Sequence, residues 1–186
     1  MVYPIYVYGM PILRKKAADI GPEYEGLDQL IENMYETLYQ ADGVGLAAPQ
    51  VGKSVRVIVI DATRPEKDKD PQLKDFKTVL INPYILEEEG TEWEFNEGCL
   101  SVPDLREDIL RKPKIRLRWV DRDFKPHDEY FEGVKARIIQ HEVDHLNGIL
   151  FIDRISPLRR RMLNGKLKNI SKGNIEKKYK MVFPKK

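Results

Sequence analysis

The sequence predicts a single α+β domain. Its 186 residues and 41% hydrophobic content are sufficient to bury one core without disulfide support. Apolar residues at helical spacing begin at Leu27 and again at Val134, and between these two segments lie several runs with the alternating or β-branched character of strands. The predicted order is therefore an N-terminal helix, a strand-rich middle, a second helix and a basic C-terminal extension.

Composition excludes several classes of protein. The single cysteine rules out an internal disulfide framework and is typical of a reducing compartment, where a thiol can bind metal or act as a nucleophile. The N-terminus has no basic region before its apolar residues, and no segment has the length of a membrane span. We therefore expect a soluble, cytoplasmic protein with no membrane partner.

The first helix is predicted to run from Leu27 to near Asp42, because its apolar residues form one stripe and Gly43 is suited to ending a helix. The run 55–61 predicts a strand buried on both faces, and 114–121 alternates as a half-exposed strand does. Shorter strand patterns occupy 78–82, 84–88, 91–96 and 128–132. The polar stretch 62–77 is expected to be a surface excursion within the domain.

The stretch QHEVDHLNG, residues 140–148, carries the strongest chemical signal. His141 and His145 are four residues apart, so a helix presents both imidazoles on one face to one cation. Glu142 lies beside that face, where a carboxylate can act on a water molecule instead of binding the metal. The alternative is an exposed helix with a solvated charged face. We prefer the metal site, with Asp144 orienting a neighbour and His127 lying in a surface turn.

The third ligand decides the class of metal site. Metzincin proteases place a third histidine where this chain has Phe151, and a gluzincin would need a downstream glutamate, yet only Glu176 follows His145. A lone cysteine is ordinarily a buried small hydrophobe. Here Cys99, within EGCLS, is the remaining soft ligand, and a Cys-His-His set with an open fourth position suits a reactive site.

The stretch GVGLAAPQ, residues 43–50, has very little side-chain bulk. Its backbone is accessible to a ligand, although a tight connection between a helix and a strand has a similar composition. The stretch lacks the later glycine and the preceding strand of a nucleotide-binding fingerprint.

Taken in order, GVGLAAPQ, EGCLS and QHEVDHLNG resemble the three signature motifs of peptide deformylases. This resemblance implies an α+β fold with antiparallel β-sheets around a central metal-binding helix. It implies hydrolytic removal of the formyl group from the N-formylmethionyl peptides of newly synthesised chains. We expect the protein to be a monomer. The organisation of residues 1–165 is similar to the family's catalytic domain, and residues 166–186 would form a separate basic tail.

The resemblance also implies roles for individual residues. Cys99, His141 and His145 would bind one Fe²⁺ ion, with Zn²⁺, Ni²⁺ or Co²⁺ able to replace it. Glu142 would act as general base and then general acid for the metal-activated water. The oxyanion would be held by the metal together with Gln50 and the backbone N–H of Leu100, so these two residues would share the catalytic role with Glu142.

The remaining family roles concern the substrate and the support of the site. Gly45 would bond the substrate backbone, and Glu97 would pair with Arg106. Four further residues would surround the formyl group and the methionine side chain: Val44, Gly98, Val134 and Ile138.

The charge distribution raises a separate question. Residues 159–186 hold eleven Lys/Arg against one Glu, a balance of +10, so the remainder carries −8 within the net charge of +2. The preferred interpretation is a solvated, partly disordered extension, and the functional alternative is a weak electrostatic contact with the ribosome. We expect no DNA partner. Two other functions compete with deformylation: an RNA-binding module with a structural metal, and a metallopeptidase that cuts internal bonds.

Overall fold

A five-stranded antiparallel sheet forms the centre of the molecule. The computed structural model describes residues 1–64 and 70–185. The strands follow the order β2-β3-β4-β7-β8. Their bounds are Gly45–Ala47 for β2, Val57–Asp61 for β3, Lys77–Glu89 for β4, Lys114–Val120 for β7 and Pro126–Glu132 for β8.

Two helices cover opposite faces of this sheet. Helix α1 spans Leu27–Gln40 and packs with Val57 and Val59 of β3, whereas α2 spans Gly133–Leu146 and packs with Ile58 and Ile60. Every residue of β3 is buried, which confirms the prediction of a strand buried on both faces. The α+β architecture with antiparallel sheets around the central helix is therefore confirmed.

A hairpin of two long strands lies beside the central sheet. Strand β5 spans Trp93–Cys99 and β6 spans Val102–Arg111, joined by a tight turn at Leu100 and Ser101. The sequence patterns did not predict β6. Its buried positions alternate regularly, but they hold Glu107 and Arg111 as well as apolar residues, so the apolar alternation is interrupted.

Strand β4 corrects the prediction of two strand pieces at 78–82 and 84–88. It is one strand with a shift of register between Ile81 and Tyr84, and Asn82 has a positive φ of 50° at that point. Pro83, which has no N–H to donate, is thereby accommodated within one continuous strand.

The stretch 62–77 is only partly a surface excursion. Residues 65–69 of it lie outside the described residues, but Leu73 and Phe76 are buried in the core beneath α2. The short 3₁₀ turn Pro71–Leu73 packs against α2 and directs Leu73 inward. His127 also differs from its prediction, since it lies in β8, stacks on Trp119 and pairs with Asp121 at 2.8 Å.

The basic C-terminal segment is folded against the body, which differs from the expected solvated extension. Helix α3 spans Pro157–Ser171 and includes residue 166, and its Leu163, Leu167 and Ile170 are buried. Farther on, β9, Met181–Val182, pairs in parallel with β1, Ile5–Tyr6. Within the described residues, no helix combines the length and apolar character that a membrane span requires.

Candidate metal centre

Three potential metal ligands from distant parts of the sequence converge at one point. Helix α2 presents His141 and His145 one turn apart, and the end of β5 supplies Cys99. One ligand atom from each lies within 4.8 Å of the others, and Cys99 Sγ is 3.2 Å from His145 Nε2. One thiolate and two imidazoles fit a divalent transition metal with a position left open for a reactant.

The orientation of His141 is set by Glu97. Nδ1 of His141 lies 2.8 Å from Glu97 Oε2, which leaves Nε2 as the atom directed at the cluster. The buried ring of Phe151 stacks on the same imidazole at a centroid distance of 6.1 Å. Phe151, at the position where a metzincin carries its third histidine, thus packs against one of the candidate ligands.

The two imidazoles differ electrostatically. Burial and the neighbouring His141 lower the pKa of His145, which favours a neutral ring able to bind a cation. For His141, burial acts in the same direction, but Cys99 and Glu97 outweigh it and raise the pKa. Binding of a metal would therefore have to displace a proton from this imidazole.

Glu97 does not pair with Arg106, which corrects the expected support of the site. Its carboxylate accepts hydrogen bonds from Arg111 Nε at 2.7 Å and Nη2 at 3.0 Å, and from Arg137 Nη1 at 3.0 Å. All three residues are buried. Burial would raise the pKa of Glu97, but its hydrogen bonds with His141 and Arg111 outweigh burial and hold that pKa below its ordinary value.

The register of the hairpin explains this correction. Arg106 lies opposite Gly98 on the exposed face of β6, where it donates to the side chain and carbonyl of Asn96 at 2.7 and 2.6 Å. Arg111 belongs to the alternate, buried set of positions. Arg111 also donates to Asp144 at 2.7 Å, and Asp144 accepts a second hydrogen bond from Arg154. Asp144 therefore connects two neighbouring cations, which is consistent with the orienting role predicted for it.

Glu142 is buried beside the cluster. Burial is the largest influence on its carboxyl group and raises its pKa to about 7. Its Oε2 has no hydrogen-bond partner among the described residues. Gly45 approaches it so closely that an added Cβ would lie 2.5 Å from Glu142 Oε1. This carboxyl group therefore lies close to strand β2, and its Oε2 is buried without a protein hydrogen bond from the described residues.

Gln50 is also buried and is held at both ends of its side-chain amide. Its Oε1 accepts from Ala47 N at 2.8 Å, and its Nε2 donates to Ser101 Oγ at 3.1 Å and lies 3.7 Å from Cys99 Sγ. The first contact fixes which end of the amide faces the cluster. Its NH₂ group therefore points toward the β5–β6 turn at Leu100.

A cleft of about 530 Å³ opens over these groups. The five residues expected to contact substrate all line it: Val44, Gly45, Gly98, Val134 and Ile138. Gln50, Cys99, Leu100, His141 and Glu142 line it as well. The sequence patterns missed Phe95 and Leu105, which lie on the hairpin, and Lys178 and Tyr179 from the C-terminal segment. The alternation of buried and exposed positions along β6 could have indicated Leu105. No local sequence pattern indicated Lys178 or Tyr179.

The chain is similar to known proteins in both sequence and structure. The family model described as polypeptide deformylase matches residues 2–161. The peptide deformylase of Christiangramia forsetii is 50% identical over 99% of this chain and 97% of its own length, and that of Flavobacterium johnsoniae is 50% identical over 98% and 96%. Two crystal structures of peptide deformylases are also similar. The Legionella pneumophila structure has a TM-score of 0.81 at 40% identity, covering 95% of this chain and 99% of that one. The Thermotoga maritima structure has a TM-score of 0.75 at 43% identity, covering 84% and 99%.

Proposed function

We infer the mechanism of this chain from one premise, which is that it belongs to the polypeptide deformylase family. It is accordingly a metal-dependent hydrolase that removes the N-terminal formyl group from nascent peptides. The observation that carries the mechanism is the convergence of Cys99, His141 and His145 beside the buried Glu142, whose Oε2 has no hydrogen-bond partner in the described part of the chain.

We propose that Cys99, His141 and His145 together hold one Fe²⁺ ion. The same ligands also suit Zn²⁺, Ni²⁺ and Co²⁺, because thiolate and imidazole bind all of these ions. When bound, the ion supplies Lewis-acid chemistry, polarising a carbonyl and making a water molecule more acidic. The hydrogen bond from His141 to Glu97 supports this assignment, since ligating histidines are normally held through their second nitrogen.

Glu142 transfers the protons of the reaction. It takes a proton from the water whose oxygen bonds to the formyl carbon, and it returns a proton to the amine as the carbon–nitrogen bond breaks. Formate and a peptide with a free amine result. Burial supports this role because it raises the pKa of Glu142 to about 7, where a carboxyl group can both accept and donate a proton near neutral pH.

Gln50 and Leu100 stabilise the negative charge that develops on the formyl oxygen. The amide NH₂ of Gln50 is directed toward the cluster because Ala47 N occupies its oxygen. The backbone N–H of Leu100 lies in the turn directly after Cys99. Fixed donors of this kind stabilise a transition state without first having to reorient.

The substrate lies along the cleft with its formyl group at the metal. Strand β2 is at the edge of the central sheet, so the backbone at Gly45 is placed to bond an added peptide chain. Val44, Val134 and Ile138 form the apolar wall for the methionine side chain. Gly45 and Gly98 bring backbone close to the reacting group, which admits formyl and excludes larger acyl groups.

We further propose that the enzyme acts as a monomer in the cytoplasm, where formylated chains emerge, with a weak contact to the ribosome through α3. A cationic surface is provided by three exposed residues of this helix and one directly after its end: Arg161, Lys166, Lys168 and Lys172. Reversing these four charges tests the contact better than deleting the tail, because deletion also removes the buried Leu167 and Ile170. Salt-sensitive sedimentation with ribosomes should be lost in the variant, and unchanged sedimentation would exclude the contact.

The deformylase mechanism is tested by purifying the protein without oxygen, measuring its metal, and assaying formate release from a formyl-methionyl tripeptide. The unformylated tripeptide is the control substrate for a peptidase. Glu142→Gln should retain metal but lose about 10²- to 10⁴-fold in rate. Stoichiometric metal with no formate release from the wild type would contradict the function, and cleavage of the unformylated peptide would indicate a peptidase instead.

A further inference from the structure

One hydrogen bond connects the C-terminal segment to the turn that carries the cysteine. The hydroxyl of Tyr179 donates to the carbonyl oxygen of Leu100 at 2.6 Å. The nitrogen of the same peptide group, Ser101 N, donates to Cys99 Sγ at 3.4 Å. A peptide group is planar, so fixing the direction of its carbonyl also fixes the direction of its N–H. Tyr179 therefore acts on Cys99 through one rigid unit.

The segment around Tyr179 is anchored on both sides. Before it, Ile175 packs on the core beneath β6, and after it Phe183 packs on the same core. Lys180 O accepts from Ile5 N at 2.8 Å within the pairing of β9 and β1. The adjacent Lys178 pairs with Asp104 of β6 at 2.7 Å. The tyrosine is thus held in place by contacts that do not involve its own hydroxyl.

The turn at Leu100 and Ser101, which directly follows Cys99, receives a second restraint from the N-terminal segment. Ser101 O accepts from Tyr8 N at 2.7 Å, and β1 just before Tyr8 pairs with β9. Ser101 Oγ also accepts from Gln50. The peptide groups on either side of Ser101 are therefore held by both ends of the described chain.

We propose that Tyr179 is a positioning residue for Cys99, which it orients as a metal ligand through the Leu100–Ser101 peptide group. Tyr179 lies beyond the residues matched by the family model, so this role is a property of the C-terminal segment and not of the three shared motifs. The proposal rests on the proposed function only in taking Cys99 as a ligand. It requires no particular substrate.

The test compares Tyr179→Phe with Tyr84→Phe in the full chain. Each variant loses one hydroxyl and its hydrogen bond, since Tyr84 bonds Asp19 at 2.7 Å away from the metal cluster. The proteins are stripped of metal and loaded with Co²⁺, and two quantities are measured. These are the Co²⁺ dissociation constant, by competition with a chromophoric chelator, and the thiolate-to-cobalt charge-transfer band. Circular dichroism verifies that both variants are folded.

Tyr179→Phe should weaken Co²⁺ binding about 10-fold and shift the charge-transfer band, as loss of a group that orients a ligand does. Tyr84→Phe should leave both unchanged. Wild-type affinity and an unshifted band in Tyr179→Phe would overturn the proposal, and so would equal shifts in the two variants. Both measurements are made without substrate, so they can be interpreted whether or not the protein deformylates peptides.

Discussion

The carboxylate of Glu97 lies 2.8 Å from Nδ1 of His141 and directs the other nitrogen of that ring toward Cys99. The same carboxylate is held by Arg111 and Arg137. The position of one candidate metal ligand therefore depends on a buried ionic network contributed by β5, β6 and α2.

Replacing Glu97 with Gln should weaken metal binding about 10- to 100-fold, because the imidazole loses its charged acceptor. The change is measured as a metal dissociation constant by chelator competition. Glu94→Gln is the control, since Glu94 is exposed on the same strand. Equal affinities for the Glu97 and Glu94 variants would show that the contact to His141 does not support the site.

The hairpin register predicts different costs for its two arginines. Arg111→Gln should lower the free energy of unfolding by about 3 to 5 kcal/mol, because the buried carboxylates of Glu97 and Asp144 each lose an ion pair. Arg106→Gln should cost less than about 1 kcal/mol, since Arg106 is exposed. Urea unfolding of both variants measures the difference, and a larger cost at Arg106 would contradict the register.

The close approach of Gly45 to Glu142 predicts a sensitive position. Gly45→Ala would place a Cβ 2.5 Å from Glu142 Oε1 and displace the carboxylate. Formate release should fall about 100-fold, the cost of a misplacement near 1 Å, while metal content stays the same.

The control for that substitution is Gly165→Ala in α3, where an added Cβ meets nothing within 4 Å. It should retain full activity and gain up to about 1 kcal/mol of stability from helix propensity. If Gly45→Ala were as active as this control, Glu142 would not need its present position.

Asp61 predicts the pH dependence of stability. Burial alone would raise the pKa of Asp61, but hydrogen bonds from Thr63, Tyr39 and Lys77 outweigh it and lower the pKa to about 2. A lowered folded-state pKa stabilises the fold above the unfolded value of 3.8, and that stabilisation is lost as the pH falls from about 4 to about 2.

Asp61→Asn should therefore be less stable than the wild type by about 2 kcal/mol at pH 6, with the difference shrinking toward pH 2. Urea unfolding of the metal-free proteins at several pH values measures this. A difference that stays constant with pH would show that the charge of Asp61 is not the cause.

The sequence revealed the site wherever the geometry is local. His141 and His145 could be placed from helical spacing alone, and the buried pattern of β3 from its composition. The choice between Arg106 and Arg111 depended on the β5–β6 register, which contains a shift after Gly98. The contact of Tyr179 with Leu100 joins residues 79 positions apart, and no local pattern encodes it.

The parallel pairing of β1 with β9 joins residues that are made at the beginning and at the end of synthesis. Ile5 is made early, but its partner Met181 becomes available only after the central sheet and α2 have been translated. The turn at Leu100 and Ser101 accepts hydrogen bonds from both ends of the chain, from Tyr8 N and from the hydroxyl of Tyr179. Strand β1 can therefore pair with β9, and Tyr179 can bond Leu100, only once the C-terminal segment has been made, so these restraints on the turn after Cys99 are the last that synthesis supplies.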